Sequence, residues 1–225
     1  MQVIEPRVVI LTPLIWRIIL GMIERVGRIC YKSEDKITEN SCIAFVKMLI
    51  DRGHEAMIEH YYLTVLFICD RGVTHEMVRH RVASYGQEST RYCNYGTERF
   101  GGGITVVRPP FYIEGTAKYT AWYESMLEQE ASYLELLAMG STPQEARDVL
   151  PNSLKTEIAM TANLREWRHF FRLRCAKSAH PQMRQVAIAL LLKFRELIPV
   201  VFDDIEYYDE DIKDKLAEVE VPMAA

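Results

Sequence analysis

The sequence predicts a single compact α/β domain. Its 225 residues, of which 49% are hydrophobic, are enough to bury a sizeable core. Stretches rich in β-branched residues alternate with stretches whose apolar residues recur at helical spacing, so both strands and helices are expected. No repeat, low-complexity tract or Ser/Gly linker divides residues 1–225, and we therefore place no domain boundary.

The predicted strands are rich in β-branched and aromatic residues and are bounded by turn-forming residues. The first ends at Thr12-Pro13, the second ends at Asp70-Arg71-Gly72, and the triple glycine at 101–103 precedes the third. The four strands span residues 3–11, 61–69, 104–107 and 154–161.

The predicted helices carry apolar residues three or four positions apart, and several have a capping residue in front and a glycine behind. Asn40 or Ser41 caps the second helix, and Thr142-Pro143-Gln144-Glu145 is a capping box with proline at the first helical position. The helices span residues 14–26, 41–52, a short segment from about 73, 116–139, a segment from 143, 163–175 and 182–197. The tail is acidic from Asp203, and roughly its last 20 residues are expected to lie at the periphery.

Composition limits the partners and the location. With 27 Lys+Arg against 31 Asp+Glu, the net charge is −4, so the surface as a whole does not attract nucleic acid at long range. The five cysteines are scattered and contain no C-x-x-C pair, which argues against a disulfide framework and a zinc knuckle. The apolar stretch 8–23 is too short to span a membrane, and no signal-peptide pattern is present. A cytoplasmic protein is expected.

The helix predicted at 163–175 carries an arginine on its apolar stripe. Trp167, Phe170 and Phe171 lie at i, i+3 and i+4, and Arg174 follows at i+7. A guanidinium is costly to bury unless it meets an anion, which favours a buried anionic ligand. Alternatively, Arg174 complements the dipole at the helix end and reaches water. Arg165, Arg168 and Arg172 form a second strip on this helix, of a kind that is usually a solvated face.

A second cluster of polar residues begins at Arg79-His80-Arg81 and continues through the predicted loop from Ser84 to Arg91. Arginine binds phosphate oxygens bidentately, and Ser and Thr hydroxyls add further donors. The cluster therefore predicts a site for a phosphorylated small molecule, although a salt-bridged surface turn has a similar composition.

Several common active-site motifs are missing or wrongly spaced. His54-Glu55 and His75-Glu76 lack a histidine at the spacing of a zinc protease, and we predict no metal site. No nucleophile elbow, dinucleotide-binding glycine motif or P-loop is present, so a flavin or nucleotide requires a non-Rossmann site. Cys175, next to Arg174, is interpreted as core filling in preference to a thiolate nucleophile.

The order of residues around the arginine cluster resembles the signature of flavin-dependent thymidylate synthases. In this sequence, Arg79-His80-Arg81 is followed after seven residues by Ser89 and then by Arg91. The resemblance extends over roughly residues 50–185. Its further segments are Gly53-His54, Glu59-His60, Arg147-x-x-Leu150-Pro151, Thr156, Asn163-x-Arg165, His169 and Arg174.

This resemblance implies a fold, an assembly and a reaction. The implied fold is a non-Rossmann α+β domain with a central, mainly antiparallel sheet flanked by long helices, and the implied assembly is a homotetramer whose sites are shared between subunits. The implied reaction converts dUMP to dTMP, with methylenetetrahydrofolate as the one-carbon donor, FAD as the tightly bound redox carrier and NADPH as the reductant.

The resemblance also assigns residues to these ligands. The residues implied for dUMP are Glu76, Arg79, Gln87, Glu88, Ser89, Thr90, Arg91, Arg147 and Arg174. Those implied for FAD are His54, Ala56, Arg79, His80, Arg81, Gln87, Asn163, Arg165 and His169. Two positions depart from the family pattern, because Ala56 replaces a frequent Ser or Thr and Glu76 replaces a frequent Gln.

Arg174 is the expected catalytic residue. Methylation requires the C5 atom of uracil to become nucleophilic, and a protonated guanidinium can stabilise the negative charge that develops on the pyrimidine. The alternative function is single-stranded nucleic-acid binding, because arginine interleaved with aromatic residues is typical of such surfaces. The segments in question are Arg91-Tyr92-x-x-Tyr95 and 168–172, and the net charge of −4 counts against this function.

Overall fold

A computed structural model describes residues 1–221 as an α+β fold. The strands are β1 (Gln2–Ile4), β2 (Arg7–Ile10), β3 (Tyr62–Asp70), β4 (Ala83–Gln87), β5 (Thr105–Val107), β6 (Lys155–Asn163) and β7 (Glu218–Glu220). The helices are α1 (Trp16–Ile29), α2 (Ser41–Asp51), α3 (Arg71–Met77), α4 (Ala117–Ala138), α5 (Pro143–Ala146), α6 (Leu164–Arg174) and α7 (Pro181–Leu197). Most of the predicted elements are therefore confirmed to within a few residues.

The central sheet has the strand order β4-β6-β3-β2-β7. Its longest ladder joins β3 to β6 in antiparallel register, from Tyr62 opposite Asn163 to Asp70 opposite Lys155. The pairs β4/β6 and β2/β3 are also antiparallel, and β2/β7 is parallel. The expected mainly antiparallel sheet is present.

The main core lies between this sheet and α1, α2, α6 and α7. Phe67 of β3 contacts Trp167 and Phe170 of α6. Trp167 also contacts Phe171 of α6 and Phe194 of α7. All five rings are fully buried. A second, smaller core joins α4 to β5 around Val106, Met126 and Tyr133.

The first predicted strand, 3–11, is wrong as a single element. Pro6 interrupts it, since proline has no N–H to donate to a ladder. The two halves enter different sheets: β1 pairs with β5, and β2 pairs with β3. The predicted loop 84–91 is also partly wrong, because its first half continues β4, whose residues alternate between partly buried and exposed along the sheet edge.

Residues 203–221 of the C-terminal tail are part of the domain and not peripheral, and the last four residues lie outside the described part of the chain. Ile205 and Ile212 are buried in the main core, and β7 extends the central sheet. The tail also covers Arg168, whose side chain is only 1% exposed. Both carboxylate oxygens of Asp204 accept hydrogen bonds from Arg168, at 2.7 Å each, and Glu55 accepts a third at 3.0 Å.

The expectation of a solvated arginine strip is therefore wrong at Arg168, because an acid distant in sequence compensates its charge.

No helix between residues 1 and 221 combines the length and the apolar character needed to cross a membrane.

We expect Asp204→Asn to destabilise the protein, because it leaves the buried Arg168 with one carboxylate fewer. The Asp204 side chain is 49% exposed, so screening by solvent limits the expected loss to about 1–2 kcal/mol of unfolding free energy in urea titrations. The exposed neighbour provides a control, Asp203→Asn, which should have no measurable effect.

The loss should depend on pH. The hydrogen bond from Arg168 holds the pKa of Asp204 below its ordinary value of 3.8. Because the folded-state pKa is depressed, the stabilisation is complete above pH 3.8 and disappears as the pH falls through the lower, folded-state value. A stability difference between wild type and variant that stays constant down to strongly acidic pH would contradict this assignment.

Candidate active site

Arg174 lies at the end of α6 and lines a cavity of about 450 Å³, here called the Arg174 cavity. The cavity is lined by Glu76, Leu173, Arg174, Ser178, Ala179 and His180. The predicted stripe is confirmed, since Trp167, Phe170 and Phe171 are fully buried. The Arg174 side chain continues this stripe to the cavity and is 18% exposed.

Two neighbours fix the guanidinium of Arg174. Its Nη1 donates to Glu76 Oε2 at 2.7 Å, and its Nη2 donates to the carbonyl oxygen of Glu76 at 2.9 Å. Its Nε lies 3.0 Å from His80 Nε2. The protein thus supplies an anion to Arg174, and this anion is at one of the two positions that depart from the family pattern.

His80 is buried, with 3% of its surface exposed, and both of its ring nitrogens are engaged. Nδ1 lies 3.0 Å from Glu166 Oε1, and Nε2 faces Arg174. Burial lowers the pKa of His80, and the nearby Arg174 and His169 lower it further against the opposing effect of Glu166. The His80 side chain, assigned to FAD by resemblance, lines neither of the cavities beside it.

A second cavity, of about 330 Å³, opens on another side of α6 and is here called the His169 cavity. Three residues assigned to FAD line it, namely Asn163, Arg165 and His169. Its lining is Glu55, Glu59, Val82, Asn163, Arg165, Glu166, His169 and Arg172. Asn163 also caps α6, because its Oδ1 accepts a hydrogen bond from the Glu166 N–H.

The turn at Glu55–His60 forms one wall of the His169 cavity. The two remaining FAD candidates from this region are Ala56 in the turn and His54 directly before it, and both are exposed. Burial by itself would raise the pKa of Glu55, but hydrogen bonds from Arg172 and Arg168 outweigh it and hold that pKa below its ordinary value. Glu55 therefore ties this turn to α6 as a carboxylate. The sequence interpretation did not single out Glu55 or Glu166 as site residues, although Glu166 precedes His169 by one helical turn.

The signature loop lies at a different place on the sheet. Glu88 lines a third cavity, of about 580 Å³, where it accepts hydrogen bonds from Tyr95 Oη at 2.7 Å and Lys155 Nζ at 3.0 Å. Gln87 donates to Thr74 Oγ1 at 3.0 Å. Thr90 is buried, and Ser89 Oγ accepts from the Arg91 N–H. Arg174 does not line this third cavity, and no residue of the loop lines the Arg174 cavity.

Four arginines assigned to the ligands are exposed, and across residues 1–221 their guanidinium groups form no hydrogen bond or ion pair. They are Arg79, Arg81, Arg91 and Arg147. Arg91 does lie over the Tyr92 ring, 5.5 Å from its centroid. These groups are free to bind anions.

The surface required for single-stranded nucleic-acid binding is formed only in part. Phe170 and Phe171 are fully buried, Tyr95 is 6% exposed and Arg168 is 1% exposed, so bases have no ring on which to stack at these positions. Tyr92, which is 77% exposed, remains accessible for stacking. The potential ligand atoms of His80, Glu166 and His169 lie within 4.8 Å of one another. A metal ion there would have to displace one of the hydrogen bonds of His80.

Comparison with known proteins shows the family of this chain. The family described as "Thymidylate synthase complementing protein" matches residues 20–200. A flavin-dependent thymidylate synthase from Mycobacterium sp. (strain KMS) is 35% identical over 214 residues, which cover 84% of this chain and 80% of the relative. A flavin-dependent thymidylate synthase from Pyrococcus abyssi (strain GE5 / Orsay) is 36% identical over 174 residues, covering 76% and 70% of the two chains.

A solved structure shares the fold. It is the UMP/dUMP methylase PolB from Streptomyces cacaoi bound with 5-Br dUMP, with a TM-score of 0.73, 22% identity, and coverage of 90% of this chain and 96% of that one. The family matches and the shared fold define the class of the protein, an α+β methyltransferase. Within that class, the chain belongs to the family of flavin-dependent thymidylate synthases.

We expect Cys175 to be chemically inert in the folded protein. It is fully buried, and burial raises the pKa of its thiol well above the ordinary value of 9.0, so little thiolate forms. Iodoacetamide should modify the exposed Cys30 and should reach Cys175 only after denaturation, as read by peptide mass spectrometry. Modification of both residues at the same rate in the native protein would reopen the nucleophile alternative.

Proposed function

We propose that this protein converts dUMP to dTMP, taking the one-carbon unit from methylenetetrahydrofolate and using FAD with NADPH as the reductant. Membership of the family carries the proposal, and the position of Arg174 supports it. The cytoplasm is the proposed location, since all five cysteines are unpaired, as in a reducing compartment.

Arg174 is the proposed catalytic residue. Its guanidinium reaches a cavity, and Arg174 follows a fully buried aromatic stripe on the same helix, so the local dielectric constant is low and charge interactions are strong. Negative charge that develops on the pyrimidine oxygens would meet a fixed cation there. No covalent cysteine is required, in agreement with the burial of Cys175.

The phosphate of dUMP is proposed to bind at the signature loop. Arg91 is exposed and free of ion pairs within residues 1–221, and Ser89 offers a hydroxyl beside it. Arg79 and Arg147 add charge that no carboxylate of the described chain neutralises. The carboxylate of Glu88 is already shared by Tyr95 and Lys155, so we assign it to shaping the loop in preference to binding the ligand directly.

The His169 cavity fits part of a flavin dinucleotide. Arg165 and His169 present donors suited to a pyrophosphate or to ring carbonyls, and Arg79 and Arg81 add exposed guanidinium groups. When bound, FAD would supply the reducing equivalents. The cavity of about 330 Å³ is at the lower end of the size of small-ligand pockets, so a dinucleotide must extend beyond it. Ala56 has no hydroxyl, so only its backbone could form a hydrogen bond with the flavin.

A homotetramer with shared sites is proposed for two reasons. First, the residues assigned to dUMP are distributed over separate cavities of one chain. Second, an exposed apolar stripe at the three-and-four spacing of helix interfaces runs along α1 from its N-cap to its last residue. Ile15, Ile18, Met22 and Ile29 form this stripe and are 45–56% exposed. Contact between copies would cover these side chains and bring parts of different sites together.

The purified protein should be yellow, or become so with added FAD, and dUMP should change the flavin absorption spectrum. The spectral change is expected because both ligands are assigned to residues around α6. A protein that takes up no FAD would contradict the cofactor assignment, and an unchanged spectrum at saturating dUMP would contradict the proximity of the two sites.

We expect Arg174→Ala to lower dTMP formation by a factor of about 10² or more while FAD remains bound, because the lost charge acts on the pyrimidine. The measurements are turnover and the FAD content of the purified variant. The exposed Arg52, which forms no ion pair within residues 1–221, provides the matched control, Arg52→Ala. Wild-type turnover in Arg174→Ala would remove the catalytic assignment.

A further inference from the structure

Four side chains form a continuous row of hydrogen bonds between the two cavities around α6. Glu166 lines the His169 cavity and contacts His80 at 3.0 Å. His80 contacts Arg174 at 3.0 Å, and Arg174 contacts Glu76 at 2.7 Å. Arg174 and Glu76 both line the Arg174 cavity. The buried ring of His80 therefore connects the proposed flavin region to the proposed nucleotide region.

The contacts define the protonation of His80. Arginine remains protonated in proteins, so its Nε–H is a donor and His80 Nε2 must accept. The ring hydrogen then lies on Nδ1, from which it is donated to Glu166 Oε1. A cationic ring would place two N–H groups face to face. The arrangement thus requires a neutral ring with its hydrogen on Nδ1.

The two neighbours of Arg174 differ in how easily a ligand can replace them. The Glu76 side chain is 34% exposed and borders the cavity, so an incoming pyrimidine can take its place. The His80 side chain is 2% exposed and lies outside the cavity lining. When a ligand displaces the Glu76 carboxylate, the hydrogen bond to His80 still fixes the Nε edge of the guanidinium, and the Glu76 carbonyl oxygen still accepts from Nη2.

We propose that His80 is a positioning residue whose neutral ring, oriented by Glu166, holds Arg174 in place while the substrate base replaces Glu76. This inference rests on the proposed function and adds a role that does not involve contact with FAD. Preorganisation of a donor is most important in the transition state, so its loss should lower kcat more than it raises the KM for dUMP.

The environment of His80 predicts how activity depends on pH. Three residues of α6 contact the His80 ring, namely Glu166, His169 and Arg174. The Tyr85 hydroxyl of β4 donates to the backbone carbonyl of His80. Glu76 of α3 contacts Arg174 on the side away from His80. Burial raises the pKa of Tyr85 to about 12, so this phenol stays protonated throughout. Because the pKa of His80 is lowered from its ordinary value of 6.5, the ring is neutral at neutral pH. Protonation in acid removes the acceptor for Arg174, and kcat should fall.

Two variants separate the contacts of His80. In His80→Asn, the amide lies near the position of Nδ1 and can donate to Glu166, but nothing accepts from Arg174 Nε. In His80→Gln, the longer side chain can place its oxygen near Nε2 and accept from Arg174 without a titrating group. We expect kcat to fall about 10- to 100-fold in His80→Asn, on the scale of a hydrogen bond to a charged group, with FAD still bound.

His80→Gln should recover a large part of this loss, and the decrease of kcat in acid should be absent from its pH profile. The exposed His75 supplies a matched control, His75→Asn, which should keep both the wild-type rate and the wild-type pH profile. Equal rates in His80→Asn and His80→Gln, or the wild-type decrease in acid persisting in His80→Gln, would overturn the proposal.

Nitrogen NMR of histidine-labelled wild-type protein tests the same proposal without variants or turnover. At neutral pH the His80 ring should show a protonated Nδ1 and an unprotonated Nε2, whereas the opposite tautomer or an imidazolium would overturn the assignment. A wild-type protein that shows the expected tautomer but forms no dTMP would contradict the proposed function and leave the arrangement of His80 and Arg174 intact.

Discussion

The nine-residue antiparallel ladder between β3 and β6 determines where the site can form. Asn163 is both the last residue of β6 and the cap of α6, so the helix leaves the sheet without an intervening loop. At the other end of the ladder, Asp70 closes β3 and its side chain accepts from the Val73 N–H at the start of α3. The ladder therefore places α6 and α3 so that Arg174 and Glu76 meet, although they are 98 positions apart in sequence.

The four arginines of α6 illustrate how the same side chain takes different roles on one helix. Arg168 is buried because Glu55 and Asp204 neutralise it, whereas Arg165 and Arg172 stay near water and pair with acids of the Glu55–His60 turn. Arg174 is intermediate, with one buried neutral partner and one partly exposed acidic partner. Of the four, only Arg174 combines a partly buried cation at a cavity with a partner that a ligand can exchange.

Local patterns predicted the elements that depend on local interactions. The strand at 61–69, the long helix at 116–139 and the aromatic stripe of α6 are correct because their periodicity reflects one buried face. The break at Pro6 was visible in the sequence but was outweighed by the β-branched run around it. The position of Arg168 could not be predicted, since its burial depends on an acid 36 residues later. For the same reason, the sequence indicated that Arg174 needs an anion but not that Glu76 provides one.

The integration of the tail has a consequence for how the protein folds during synthesis. Asp204 leaves the ribosome after the whole of α6 and α7, so the emerging chain contains Arg168 before its partner exists. Until residues 218–220 follow, β2 is an uncovered edge strand, able to pair with strands of other nascent chains. The fold can therefore be completed only after the last helix, α7, has been synthesised. A pause in translation before Asp204 would prolong the interval in which the chain is prone to aggregate.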